Sequence, residues 1–259
     1  MYERLKGKRA IVTGATAGIG EAISRRLAGA GCHLVITGRR IERLEALARE
    51  LEEQQAVAVT PLSMDVTDPQ EVEAKLSTAL ERFPVDILIN NAGLALGLEP
   101  LDKGSLEHWE RMIDTNLKGL LYVSRLVMGQ MRKRNTGHIL NMGSIAGETA
   151  YPGGNVYCAT KAAVHMLSDA MNCDALGTRI RIGTLAPGAV ETEFSDVRFE
   201  GDRDRSQAVY EGYTPLSAED IADLALYVLA APEHVNIQHV RIMPTAQRNP
   251  FQLDRSGTI

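Results

Sequence analysis

Cysteine is scarce: Cys32, Cys158 and Cys173 are the only three in 259 residues, an odd number without C-x-x-C spacing. They support neither a disulfide framework nor a cysteine-based zinc site, and no metal is expected. A reducing compartment suits such a chain, so a cytoplasmic location is expected. Long apolar runs are missing too, which excludes a membrane-spanning helix at the sequence level. The charged start, Met1 to Arg9, runs straight into a strand-like segment and does not read as a signal peptide. Excess positive charge is lacking: 28 Lys and Arg against 33 Asp and Glu give a formal charge of −5. Nucleic acid is therefore not an expected partner, because binding it needs a concentrated basic face. No Pro/Ser-rich linker, repeat or low-complexity tract divides the chain, and one domain over 1–259 is expected.

What is present is alternation. Short aliphatic or β-branched runs at Arg9–Thr13, His33–Thr37, Ala56–Met64, Asp86–Asn90, His138–Met142, Arg179–Leu185 and His239–Met243 read as strands. Between them, helical patterns fall at roughly Gly18–Ala30, Ile41–Gln54, Pro69–Arg82, Leu106–Lys133, Val156–Leu176 and Ala218–Ala230. Asp68-Pro69 and Ser217 before Ala218-Glu219-Asp220 are helix start signals. This order predicts an α/β fold: a doubly wound, Rossmann-like parallel sheet of about seven strands with helices on both faces. The least regular stretch, about 190–215, is expected to be a lid over a ligand site.

After the first strand stands Gly14-Ala15-Thr16-Ala17-Gly18-Ile19-Gly20, then an amphipathic helix. Glycines at a strand–helix turn let a pyrophosphate approach the helix N-terminus, where free N–H groups and the helix dipole favour an anion. A turn that merely connects strand to helix is the plainer alternative. Arg39 and Arg40 follow the second strand, where a carboxylate would select NAD; two arginines there favour the 2′-phosphate of NADP. The competing reading is an ordinary basic helix start. Asp65 and Val66 end the third strand, placed to meet an adenine. Asn90, Asn91, Ala92 and Gly93 end the fourth, placed against the cofactor backbone.

Ser144 follows the fifth strand, and Tyr157 stands four residues before Lys161 on a helix, so both side chains share one face. A phenol can protonate a carbonyl oxygen as hydride reaches its carbon, and a nearby ammonium is expected to lower the phenol's pKa. Ser144 can hold the substrate oxygen. Asn116 can bend the long helix and hold a water in a relay with Lys161. Each of these alone is weak: Tyr-x-x-x-Lys pairs are common, and Ser144 in a Gly-Ser pair can be a turn residue. Their order, each at a strand end or helix start, is what points to a site.

Together these motifs resemble the short-chain dehydrogenase/reductase family over essentially the whole chain. The resemblance rests on Thr13–Gly20, Asp65, Asn90–Gly93, Asn116, Ser144, Tyr157, Lys161, Pro187-Gly188 and Thr192. It implies a catalytic tetrad of Asn116, Ser144, Tyr157 and Lys161, and a segment from Pro187 through Val190 and Thr192 to Ser195 covering the nicotinamide. More narrowly, Asn91–Gly97, Tyr151–Tyr157, Glu193–Phe199 and Val235–Ile237 are similar to NADP-dependent 3-hydroxy acid (serine and allo-threonine) dehydrogenases and related malonic semialdehyde or sulfoacetaldehyde reductases. The implied substrate is a small anionic aldehyde or hydroxy acid, with a sulfonate as the alternative anion. A protein that only senses NADP is the more distant alternative. Departures are Ala17, where many NADP-using relatives carry a basic residue; Glu148-Thr149-Ala150, which lacks a bulky aromatic; and the tail from Arg248 to Ile259, which matches nothing assigned.

Two further expectations concern partners. Arg198 in the irregular segment can grip a substrate carboxylate or sulfonate, or can pair with Asp196, Glu200 and Asp202 at the surface. The helical patterns at Leu106–Lys133 and Val156–Leu176 are apolar around much of their circumference, as Leu117, Leu120, Leu121, Val123, Leu126 and Val127 illustrate. A second buried face is then required, and the resemblance implies a homotetramer.

Overall fold

A computed structural model describes residues 2–257; the end of the tail, Thr258 and Ile259, and Met1 lie outside the described residues. Seven strands form one parallel sheet in the order β3-β2-β1-β4-β5-β6-β7. These are β1 (Arg9–Thr13), β2 (His33–Gly38), β3 (Val59–Ser63), β4 (Ile87–Asn90), β5 (Gly137–Met142), β6 (Ile180–Pro187) and β7 (His239–Ile242). The central strands β4 and β5 are buried along their whole length. That follows from helices on both faces, since a strand covered twice is buried at every position and reads as mostly apolar.

Helices α1 (Gly18–Gly29), α2 (Ile41–Gln54) and α9 (Ala218–Leu229) cover one face, where Ile23, Leu27, Leu44, Ile221 and Leu229 pack on Val12 and Ile36. Helices α3 (Pro69–Arg82), α5 (Leu120–Arg134) and α6 (Asn155–Asp174) cover the other, where Leu76, Val127 and Met171 pack on Ile11, Leu88 and Ile139. The start signals act as expected. Asp68 accepts from the N–H groups of Gln70 and Glu71 ahead of Pro69, and Ser217 forms a reciprocal capping box with Asp220.

Two segments differ from the sequence expectation. The helix read over Leu106–Lys133 is α4 (Leu106–Ile113) and α5 joined by a π-helical segment, Asp114–Gly119. The 190–215 segment is not a plain loop, for it winds into α7 (Phe194–Arg198) and α8 (Arg203–Ala208).

Buried polar groups tie the middle of the sheet together. Asn90 and Asn141 face each other in register across β4 and β5. Asn90 Nδ2 donates to Asn141 Oδ1 and to Ser124 Oγ on α5, both at 2.8 Å, and Asn141 Nδ2 donates to Ser168 Oγ on α6 at 2.9 Å. No helix among the described residues is long and apolar enough to cross a membrane.

Candidate active site

The strand order reverses between β1 and β4, and a crevice opens at their carboxyl ends, where such sheets take their ligands. It encloses about 380 Å³ and is lined by Gly14, Thr16, Ala17, Gly18 and Ile19 on one side and Asn91, Ala92 and Gly93 on the other. The glycine turn is fastened to the end of β4. Thr13 Oγ1 accepts from the N–H groups of Asn91 and Ala92, and Asn91 Nδ2 donates to the carbonyls of Thr13 and Gly14. Gly14 has φ +67°, and a Cβ there would stand 2.9 Å from the Ala92 Cα. A Cβ on Gly20 would collide with the Gly14 carbonyl. Gly20 and the fully buried Ala15 therefore shape the turn from behind and do not line the crevice. Ala17 stands at the N-cap of α1 and offers no side-chain cap, so the first N–H groups of the helix are left to an anion in the crevice. These residues fit a dinucleotide pyrophosphate.

Asn90, expected against the cofactor, is instead 4 % exposed and committed to the internal polar network. At the far end, Thr37, Gly38, Arg39, Arg40, Asp65 and Val66 form the wall. Asp65 Oδ1 accepts from both the N–H and the hydroxyl of Thr67, which fixes the turn after β3. Arg39 is exposed and has no ion-pair partner among the described residues. Arg40 is engaged: it donates to Thr16 Oγ1 and pairs with Glu193 at 3.1 Å, while Arg43 holds the same carboxylate at 2.8 Å. Burial pushes the Glu193 carboxyl up, but the bonds from Arg43 and Arg40 outweigh it and hold the group below the usual range. Its neighbour Thr192 packs against Gly18, so residues 192–193 close over the glycine turn.

At the other end stand Ser144, Tyr157 and Lys161, all buried. Ser144 Oγ caps the short turn after β5 by accepting from Ala146 N–H. Lys161 Nζ donates to the Met142 carbonyl at 2.8 Å and lies 5.9 Å from the centre of the Tyr157 ring. Burial brings Lys161 down to about 8. The Tyr157 phenol shifts opposite to expectation. Removal from water pushes its pKa well above the usual value, Tyr151 adds to the rise, and hydrogen bonding with Ser144 only partly offsets both. The ammonium does not lower it because Nζ is turned to the Met142 carbonyl. A phenol in this state keeps its proton at neutral pH, which suits a proton donor.

Asn116 sits in the π-helical segment. Its Oδ1 accepts from Leu94 N–H, and its Nδ2 donates to the Leu94 carbonyl and to Thr160 Oγ1. Both amide hydrogens are thus used, and the side chain braces Leu94 against Thr160. A Cβ built on Gly93 would come 3.2 Å from Asn116 Oδ1 and 3.5 Å from Lys161 Nζ, so the end of β4 meets both residues here. Pro187, Gly188, Val190 and Thr192, from the end of β6 onward, complete the crevice.

Arg198 packs beside the phenol. Its guanidinium lies 5.5 Å from the Tyr151 ring centre and 5.8 Å from that of Tyr157, and Nε donates to the Gly97 carbonyl. The acidic neighbours are occupied elsewhere: Asp196 accepts from Ser206, Glu200 meets His108, and Asp202 caps α8. Arg198 has no ion pair among the described residues.

The family model for short chain dehydrogenases matches residues 8–203. The chain belongs to the short-chain dehydrogenase family. Among its relatives, the NADP-dependent 3-hydroxy acid dehydrogenase of Salmonella typhi is 48% identical over 92% of this chain and 95% of that protein. Sulfoacetaldehyde reductase 2 of Chromohalobacter salexigens is 44% identical over 95% of this chain and 98% of its own length. Among solved structures, the closed form of serine dehydrogenase complexed with NADP+ superposes with a TM-score of 0.89 at 45% identity, covering 93% of this chain and 96% of that one.

Within this member of the family, two residues that support the crevice carry no local signal in sequence. Thr160 links Asn116 to the Tyr157 carbonyl, and Glu193 reaches the arginines from 150 residues away. Phe194 lines the crevice, and Tyr151 and Trp109 pack with it in one apolar cluster around Tyr157.

Proposed function

We propose that this dehydrogenase is an NADP-dependent oxidoreductase interconverting a small hydroxy acid of the 3-hydroxy acid type and its aldehyde or keto form. The observation that carries this reading is Arg198, a guanidinium without a carboxylate partner held beside the phenol of Tyr157. A carbonyl bound at Tyr157 with an anion one or two carbons away would find its counter-charge there.

Gly14, Thr16, Ala17, Gly18 and Ile19 would hold the pyrophosphate, with Arg39 and Arg40 at the 2′-phosphate and Asp65 and Val66 at the adenine. Asn91, Ala92, Gly93, Pro187, Gly188, Val190 and Thr192 would flank the nicotinamide half. When bound, the dinucleotide supplies or takes up the hydride at the substrate carbon. Tyr157 gives its proton to the carbonyl oxygen, which the Ser144 hydroxyl also binds. The buried Lys161 ammonium would steady the charge left on the phenol once Nζ turns from the Met142 carbonyl toward it. Asn116 braces the end of β4 beside Lys161.

The segment 190–215 acts as the lid, its α7 carrying Arg198 and its Glu193 latched to Arg40 and Arg43. A sulfonate is the second reading for the substrate anion, favoured by the sulfoacetaldehyde reductase among the relatives. The chain works as a homotetramer in the cytoplasm: Leu121 on α5 and Met166 on α6 are exposed apolar residues on helices that already bury another face. Light scattering giving a monomer at micromolar concentration would rule out that assembly.

The deciding experiment follows NADPH oxidation with malonic semialdehyde, sulfoacetaldehyde and neutral aldehydes of equal size, in the wild type and in Arg198→Ala. The variant should raise KM for both anionic aldehydes and spare the neutral ones. An equal loss for both kinds would make Arg198 a lid support and remove the basis for an anionic substrate.

A further inference from the structure

Behind the candidate catalytic serine lies a second polar cluster that the reaction does not use. Glu148 follows the turn after β5, His165 is on α6 and His239 opens β7; one ligand atom from each lies within 4.8 Å of the others. Three elements of the packed sheet-and-helix frame carry them, so the cluster is set by tertiary structure and leaves no ligand spacing in sequence. His239 already meets Glu148 Oε1 at 2.7 Å, and Arg241 pairs with Oε2. The His165 ring also meets the serine itself, for its Nε2 accepts from the backbone N–H of Ser144 at 3.3 Å.

We infer that Glu148, His165 and His239 form a binding site for a zinc-class transition-metal dication that inhibits the enzyme by withdrawing His165 from Ser144. Two imidazoles and one carboxylate suit zinc, whereas magnesium and calcium take oxygen ligands. Tetrahedral zinc places ligand atoms about 3.4 Å apart at bond lengths of about 2.1 Å. The widest separation therefore needs to close by at most about 1.4 Å, while the His239–Glu148 pair, at 2.7 Å, opens slightly. The exposed His239 at the sheet edge can supply that movement. Arg241 is the resident counter-ion of Glu148, and its half-exposed side chain is free to swing into solvent.

The link to Ser144 follows from counting lone pairs. A neutral imidazole has one acceptor nitrogen, and in His165 that lone pair receives the Ser144 N–H. Metal at Nε2 takes this lone pair. Metal at Nδ1 requires the proton to sit on Nε2, where it would face the Ser144 N–H. In either case Ser144 loses its backbone anchor, while the cofactor end of the crevice is untouched.

Calorimetric titration of the full-length chain with Zn2+, and with Mg2+ as the control, tests binding without relying on any assigned substrate. One Zn2+ per chain is expected, with no Mg2+ bound. His239→Ala and Glu148→Gln should abolish binding. Arg241→Ala should tighten it about tenfold, because a cation beside the site is removed. Binding that survives His239→Ala belongs elsewhere, for instance at the exposed Cys173, and overturns the proposal; so does an Arg241→Ala variant that binds no more tightly. In the NADPH assay, Zn2+ should lower kcat with little change in KM for NADPH, and His239→Ala should be resistant. Stoichiometric zinc with undiminished turnover would overturn the coupling to Ser144.

Discussion

Arg39→Ala should weaken NADPH binding more than Arg40→Ala, although the two residues are neighbours on one turn. Arg39 is exposed at the crevice wall without an ion-pair partner, so a 2′-phosphate gains its full charge-assisted interaction. Such a bond is worth roughly 1.5–3 kcal/mol, or about 10- to 150-fold in affinity. Arg40 starts from a different position, already donating to Thr16 Oγ1 and paired with Glu193. Turning to a phosphate means giving up or sharing that pair, which at an exposed position offsets about 0.2–1 kcal/mol of the gain. Glu193→Gln should therefore act in the reverse sense and tighten NADPH by a few-fold, because it releases both Arg40 and Arg43. None of the three changes should alter NADH binding appreciably, since NADH lacks the phosphate. Fluorescence titration of the reduced cofactors at fixed salt reads all of these constants. Equal losses for NADPH and NADH in Arg39→Ala, or a larger loss in Arg40→Ala, would refute the argument.

Tyr157→Phe should bind NADPH nearly as well as the wild type and lose turnover by orders of magnitude, because only the proton donor is removed; retention of most activity would exclude Tyr157 from that role. The Lys161 ammonium, brought to about 8 by burial, is half lost at that pH and mostly lost a unit above it. Reductive kcat/KM should accordingly be level up to about pH 8 and fall above it, and a profile without a break between pH 7 and 9.5 would separate Lys161 from the chemistry. Stability should fall in mild acid because of His138 on β5, whose two ring nitrogens are buried without partners and whose pKa burial lowers to about 3. The folded value lies below the unfolded one of about 6.5. The unfolded chain thus takes the proton first, and stability present above pH 6.5 drains away toward pH 3, by about 2 kcal/mol between pH 7 and 5. His138→Met should remove that slope in denaturant titrations; an unchanged slope would place its origin elsewhere.

Features written in consecutive residues are legible before any coordinates. The bounds of α2 and α3 follow from their apolar stripes and from Asp68-Pro69, and the glycine turn, Ser144, Tyr157 and Lys161 come together at the strand ends as their positions require. Features made by distant residues are not. The π-helical segment at Asp114–Gly119 has no periodic signature, because Asn116 is held by Leu94 and Thr160 from other elements. Asn90 looks like a site residue beside Asn91, yet strand alternation turns it to the interior. The raised Tyr157 phenol depends on how deeply the ring is covered and on where Lys161 points, neither of which an i, i+4 spacing contains.

The paired Asn90 and Asn141 have a bearing on how the chain finds its alignment while folding. Apolar strands such as Ile87–Asn90 and Gly137–Met142 can slide past one another with little change in buried area. A slip of two residues would keep every side chain on its own face and still part Asn90 from Asn141, the pair that Ser124 and Ser168 hold from either side. Each buried amide group left without a partner costs about 1–3 kcal/mol, so the offset arrangements are disfavoured as a set. The loops beyond β4 and β5 inherit the result. Ala92 and Gly93 follow Asn90, and Ser144 follows Asn141, so four uncharged groups in the interior set the distance between the two walls of the crevice.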